Sequence, residues 1–331
     1  MNNLCVRVVP RIVTVYIEYL WGEKMSDYSF LTVTHHDDTL FCTGFIYHRK
    51  GLNHTLSDTD CISFLQWSLP QLHFRWPGFR KVRRQVCKRI QKRMTELGLS
   101  DQKKYRQHLM IHPEEWNILD SLCYISISRF YRDKKIFEIL NHKILPDLAN
   151  RRAANQRSKI HAWSIGCSSG EEPYSLKILW ELDVKDKLGM EPELHITATD
   201  VNPGLIQRSL AGTYSAGSLK ELPSVYLKNA FDKAGQLLCL KERFKENIRF
   251  LRQDIRKQFP PGRFDLILCR NLVFTYFGRE LQMAILEKLA GQLHEGGFLI
   301  IGAHEKLPFN DPRLLIFENQ PIIFKKNSNN S

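Results

Sequence analysis

Long apolar runs are missing from this 331-residue chain. No stretch reaches the roughly 18 consecutive apolar residues that a membrane-crossing helix needs. Paired cysteines are missing as well. Cys5, Cys42, Cys61, Cys87, Cys123, Cys167, Cys239 and Cys269 form no C-x-x-C pair, which argues against zinc-ribbon and thioredoxin-type chemistry, and no metal is expected. Scattered in this way they read as reduced, buried small side chains of a cytoplasmic protein. Acids are scarce beside bases: 35 Asp and Glu face 48 Lys and Arg, a formal charge of +13. That balance favours an acidic partner, whether nucleic acid, anionic membrane or acidic protein surface, with a merely basic protein as the plain alternative. Repeats and low-complexity tracts are absent too, and 43% hydrophobic residues exclude wholesale disorder.

Length allows about two domains. Residues 1–56 form a poorly specified extension. Val6 to Trp21 is β-rich but interrupted by Arg7, Pro10 and Arg11, and a start at Met25 is preferred to an organelle presequence. From Ser57 the pattern turns helical, with a capping box between Ser57 and Asp60. Residues 79–97 predict one strong helix, with Val82, Val86, Ile90, Met94 and Leu97 on a single stripe. Further helices are expected at 101–110, 113–126 and 137–150, so 57–150 reads as an all-α domain, followed by a basic linker. From 151 to 331 strands (161–165, 194–199, 248–252, 264–269, 297–302, 314–318, 321–325) alternate with helices (171–183, 203–211, 278–293). This alternation predicts an α/β fold, a doubly wound, mostly parallel sheet with its ligand at the strands' C-terminal ends. Residues 212–250 form an insertion with strand candidates.

The densest signal is Trp163-Ser164-Ile165-Gly166-Cys167-Ser168-Ser169-Gly170-Glu171-Glu172-Pro173-Tyr174-Ser175, a glycine turn between a strand and a helix. Some 25 residues on, a second strand ends in Ala198-Thr199-Asp200. Glycines let the backbone approach a ligand, and an acid at the next strand tip can accept from two ribose hydroxyls, which is the plan of an adenosine-cofactor site. Asp200 can equally be an N-cap for the helix begun by Asn202-Pro203. Helix 80–93 carries Arg80, Lys81, Arg83, Arg84, Lys88, Arg89, Lys92 and Arg93 without an acid. Interspersed aromatics are absent, so an acidic protein is favoured over nucleic acid, with a solvated face as the third reading.

The string W-S-x-G-C-S-S-G-E-E-P-Y-S, then A-T-D, then Cys269-Arg270-Asn271 with Tyr276-Phe277, resembles the CheR-type family. Its members are S-adenosylmethionine-dependent methyltransferases that esterify glutamates on chemotaxis receptors. The resemblance spans about residues 57 to 325 and implies a seven-stranded methyltransferase sheet with a small β insertion, preceded by an all-α N-terminal domain. It also implies S-adenosylmethionine as cofactor, with Gly166, Glu172, Asp200, Asp254, Ile255, Arg270 and Asn271 around it. Asp254 would accept from the adenine amino group, or is simply a loop Asp. Ser126-Ile127-Ser128-Arg129-Phe130-Tyr131-Arg132-Asp133 resembles the family's T-x-F-F-R-D segment, placing Ser126, Ser128 and Arg132 on the cofactor. Arg132 can grip a carboxylate, or else pair with Asp133 or Glu138. Tyr276 would be a second donor to the acceptor, although its spacing from Asn271 is one residue longer than the family's. Arg89 and Arg93 match the basic helix that meets the acidic helices of receptors. His304, in Gly302-Ala303-His304-Glu305-Lys306, reads as a structural residue ahead of a base. A monomer acting on the cytoplasmic region of a receptor is the expectation.

Overall fold

The computed structural model describes residues 57–154, 159–185 and 192–327, together with the backbone of four strands nearer the N-terminus. Those strands, β1 (Cys5–Val9), β2 (Ile12–Ile17), β3 (Tyr28–His36) and β4 (Thr39–His48), pair in sequence as an antiparallel meander. Two of them fall in the stretch that carried no clear period. Met25 lies outside the described residues. The chain divides into two compact units, residues 1–61 with 87–119, and residues 62–86 with 120–331.

The helical stretch begins with α1 (Asp58–Gln71), whose N-terminus carries the expected capping box: Ser57 Oγ donates to Asp60 Oδ2 (2.7 Å) and accepts from the Asp60 amide (3.0 Å). Next come α2 (Trp76–Phe79), with Pro77 in its first turn, and α3 (Arg83–Glu96). The helix expected over 79–97 is thus interrupted at residues 80–82, where the chain leaves the short α2 through turns. α4 (Gln102–Ile111) starts at Asp101, whose side chain accepts from the Lys104 amide, and α5 (Glu115–Leu122) follows. Within the first unit Cys61 and Cys87 form a disulfide. This corrects the reading of all eight cysteines as reduced. The two are 26 residues apart on different helices, and folding alone brings their Cα atoms to 5.9 Å. Cys123, Cys167, Cys239 and Cys269 are in no disulfide among the described residues, as expected.

In the second unit α6 (Lys134–Ile139) runs through a π turn at Leu140–Ile144 into α7 (Leu145–Ala154). Then strands and helices alternate: β5 (Lys159–Ile165), α8 (Glu171–Leu179) with its own π turn at Trp180–Val184, β6 (Glu193–Asp200) and α9 (Pro203–Ala211). The insertion follows, with β7 (Thr213–Ser215), α10 (Ala216–Leu219), α11 (Ser224–Ala230), β8 (Phe231–Ala234) and β9 (Leu237–Leu240), forming a small antiparallel sheet of order β7-β9-β8. The chain returns through β10 (Ile248–Arg252), β11 (Phe264–Cys269), α12 (Val273–Tyr276), α13 (Arg279–Gln292), β12 (Leu293–Ile301), β13 (Leu314–Phe317) and β14 (Gln320–Lys326).

The seven-stranded sheet has the order β10-β6-β5-β11-β12-β14-β13. Its first five strands are parallel, and β14 runs antiparallel to both β12 and β13. All six residues of β11 are buried, as a strand covered on both faces requires; Leu266 to Cys269 run apolar, and the buried Asp265 is paired with Arg152. The strand order reverses between β5 and β11, so a crevice opens beyond their C-terminal ends.

Candidate active site

That crevice is a cleft of about 1110 Å³, counted to its open mouth. Its floor is the turn after β5. Gly166 (φ 69°) and Gly170 (φ 90°) take left-handed conformations that a side chain disfavours. A Cβ at Gly166 would also press on Leu272, 2.8 Å away. Beneath the turn, Tyr214 of the insertion donates its hydroxyl to the Ser169 carbonyl (2.7 Å).

Asp200, at the tip of β6, lines the cleft. Its Oδ2 accepts from the Ser168 amide and its Oδ1 from the Asn202 amide, both at 2.9 Å. These bonds fix the carboxylate plane. Burial pushes its pKa above the ordinary aspartate value, partly offset by those amides. The N-cap of α9 is Asn202, whose side chain accepts from the Gly204 and Leu205 amides, so Asp200 is not the cap.

Glu172, on the first turn of α8, accepts from Ser164 Oγ (2.7 Å) and from Arg270 (2.8 Å). Arg270 is 3% exposed and also donates to Asp133 (2.7 Å) and to the Arg132 carbonyl (2.8 Å). One guanidinium therefore ties Glu172 to the segment that bears Arg132. That segment is strained: Tyr131 and Asp133 have φ of 59° and 63°, and Ser168 and Asn271 elsewhere around the cleft have 53° and 57°. Arg132 makes neither of the ion pairs offered as alternatives. It donates to the Ile127 carbonyl (2.8 Å), while Asp133 binds Arg270 and Glu138 binds Lys134.

Ser126 and Ser128 line the same cleft on the non-helical stretch that follows α5, and so do Asp254 and Ile255 after β10. Asp254 is engaged. Arg256 grips it from Nε (3.0 and 3.1 Å) and holds Asp120 with two further bonds (2.8 and 2.7 Å). Burial would raise the Asp254 pKa, but Arg256 outweighs it and the group lies below the ordinary value. Arg256 also lies over the rings of Phe74, Tyr124 and Phe277, 5.6–6.0 Å from their centroids. Asn271 closes β11, with its amide donating to Glu305 (3.0 Å), and Tyr276 ends α12 with its ring edge-on to Phe79 at 5.1 Å. Burial raises the Tyr276 pKa.

All eleven residues expected at the cofactor and the acceptor thus line one cleft. Arg89 and Arg93, expected to dock the acceptor, are elsewhere, on α3 of the first unit. Arg93 is committed to Glu115, which is 3% exposed, with bonds of 2.9 and 2.7 Å. The exposed basic side chains of α3 are Arg84, Lys88 and Lys92. His304 is exposed and does not line the cleft. Glu305, Arg256, Arg75 and Tyr214 support the site without having been singled out. Their partners are 30 to 200 residues away, apart from Asp254 beside Arg256 and Gly302 beside Glu305. Only Glu305 stood inside a quoted motif.

The lining suits an adenosyl cofactor on its own chemistry. Ser168 Oγ, Gln253 Oε1 and Arg270 Nε are buried at the cleft without a partner among the described residues, so donors and acceptors remain to be satisfied. The glycine turn admits a backbone approach, and Glu172 and Asp200 offer carboxylates to a cation and a diol. The family model described as "CheR methyltransferase, SAM binding domain" matches residues 126–323. The chain belongs to the CheR methyltransferase family. A Listeria innocua chemotaxis protein methyltransferase is 34% identical over 187 residues, covering 56% of this chain and 68% of that protein. One from Vibrio parahaemolyticus is 34% identical over 200 residues, 59% and 70% of the two chains. An uncharacterized 104.1 kDa protein of Rhodobacter capsulatus is 31% identical over 222 residues, 67% of this chain but 23% of that one. Among solved structures, N-methyltransferase NodS from Bradyrhizobium japonicum with S-adenosyl-L-homocysteine covers 49% of this chain and 61% of that one, with 16% identity and a TM-score of 0.27, too low to argue from. As a CheR-family methyltransferase, the protein takes S-adenosylmethionine as its cofactor. Among the described residues no helix is long and apolar enough to cross a membrane, and no cluster of His, Cys, Asp and Glu could hold a metal.

Proposed function

We propose that the protein forms methyl esters on glutamate side chains of an acidic, helical protein, the cytoplasmic region of a chemotaxis receptor being the expected type. The observation that carries this reading is Arg132, held at the cleft between two left-handed residues with no carboxylate partner among the described residues. Such a guanidinium suits an incoming carboxylate.

In this reading Asp200 holds the ribose hydroxyls, Glu172 faces the cationic end of the cofactor, and Ser126, Ser128, Asp254, Ile255, Arg270 and Asn271 complete its slot. When bound, S-adenosylmethionine supplies a methyl group on a sulfonium, open to displacement by an anionic oxygen. A solvated glutamate side chain titrates at about pH 4.3, so its carboxylate is already anionic at neutral pH and needs no general base. The task left to the protein is to orient that carboxylate with Arg132 and Tyr276 and to exclude water. Residues 57–150, with the exposed bases of α3, would dock the acceptor, and 151–331 would hold the cofactor in a cytoplasmic monomer. The longer spacing before Tyr276 favours a second reading, the same chemistry on an acceptor other than a receptor.

The test is to incubate the protein with methyl-labelled S-adenosylmethionine and an extract of its source cells, then treat the labelled protein with mild alkali. Label released as methanol identifies carboxyl methyl esters and leads to the acceptor. Alkali-stable label, or none, refutes the reading.

A further inference from the structure

α12 is one turn long, too short to hold its own shape. It nevertheless carries Tyr276, on a segment one residue longer than the family pattern, so the place of the phenol depends on what grips the turn from outside. Two groups do so. Arg75 donates from Nε to the Thr275 carbonyl (3.0 Å) and from a terminal nitrogen to the Phe274 carbonyl (2.5 Å), while its own amide donates to the Tyr276 carbonyl (2.8 Å). A guanidinium there satisfies carbonyls that a one-turn helix leaves without an internal partner. Glu305, 5% exposed, accepts from Thr275 Oγ1 (2.5 Å), the Asn271 amide (3.0 Å) and the Gly302 amide (2.6 Å). Contact is close throughout: a Cβ on Gly78 would run into the Thr275 carbonyl oxygen.

We propose that Arg75 and Glu305 are positioning residues that clamp α12 from two sides and aim the Tyr276 hydroxyl at the acceptor side of the cleft. This rests on the reading of Tyr276 as a donor to the acceptor, and the test separates the two.

The full-length protein is labelled with 3-fluorotyrosine, and the Tyr276 resonance is assigned by its loss in Tyr276→Phe. Arg75→Met and Thr275→Val, which removes the hydroxyl held by Glu305 and leaves the buried carboxylate in place, should shift or broaden that resonance. Arg75→Lys, which can still donate to a carbonyl, should restore part of it. An unchanged resonance in both variants overturns the clamp without any acceptor being needed. With the acceptor isolated by methyl labelling, both variants should lower kcat about tenfold and leave cofactor affinity within about twofold. In a Tyr276→Phe background neither should lower kcat further. A drop that persists in that background, or a parallel loss of cofactor affinity, shows a merely structural role and overturns the proposal. Tyr276→Phe with unaltered kcat instead refutes the reading of Tyr276, whatever the resonance does.

Discussion

Removing Arg270 should unsettle the site more than removing any other single side chain that lines the cleft. In Arg270→Met the side chain keeps its bulk, but Glu172 loses a 2.8 Å ion pair and Asp133 a 2.7 Å one. Glu172 is 15% exposed and retains only the Ser164 hydroxyl, whereas Asp133 is 32% exposed and can turn to water. Breaking a buried pair costs about 3–5 kcal/mol; with one carboxylate half-solvated the low end applies, about 3 kcal/mol. For a unit of this size that lowers Tm by about 6–12 °C. Thermal denaturation of the cofactor-free protein measures it. Adding Glu172→Gln to Arg270→Met should recover about half of the fall, because the uncompensated charge, and not lost packing, is the cause. A fall below about 2 °C, or no recovery in the double variant, would refute the brace.

Arg132→Ala should cut turnover by about a hundredfold or more with cofactor affinity nearly unchanged, measured by methanol release and calorimetry. Near-normal turnover would remove Arg132 from the mechanism. Because burial holds the Asp200 pKa above the ordinary value, its acceptor form is lost as pH falls through that raised value. Cofactor affinity should therefore weaken on acidification before the ordinary aspartate range is reached, and Asp200→Asn should abolish that dependence. Arg93→Ala should cost about 2–3 kcal/mol of stability by stranding Glu115, whereas Lys88→Glu should leave Tm within about 1 °C and slow methylation of an acidic acceptor, more so at low salt. Loss of acceptor binding in Arg93→Ala without loss of stability would restore its docking role. Reducing the Cys61–Cys87 bond, which joins residues 26 apart, should destabilise the fold by about 3.5 kcal/mol, read as lost protease resistance; unchanged resistance would refute this.

The parts of the site carried by contiguous residues were legible. The glycine turn, Asp200 at the next strand tip and Arg270-Asn271 at the end of a fully buried strand each show in a few neighbouring residues, and the strands were placed to within a few positions. What could not be read depends on distance along the chain. Arg256 gives no sign that it meets Asp120, and nothing in Arg75 foretells the carbonyls of Phe274 and Thr275. Likeness to a family also misled where local partners differ. Arg93 stands on the basic helix that the resemblance singled out, but Glu115 on α5 captures it, and the exposed bases of that helix are Arg84, Lys88 and Lys92. The Cys61–Cys87 bond joins α1 to α3, and spacing alone cannot suggest it.

The position of Glu305 has a consequence for synthesis. Until the ribosome has passed it, the Asn271 and Gly302 amides and the Thr275 hydroxyl lack the acceptor they have in the finished fold. The glycine turn and Asp200 would be complete some hundred residues sooner. A growing chain would thus hold Arg132 and the ribose end of the slot well before Tyr276 and the group that grips its turn existed. Termination soon after Asp200 would leave that slot without Asp254, Arg270 and Asn271, open on the side that β11 closes.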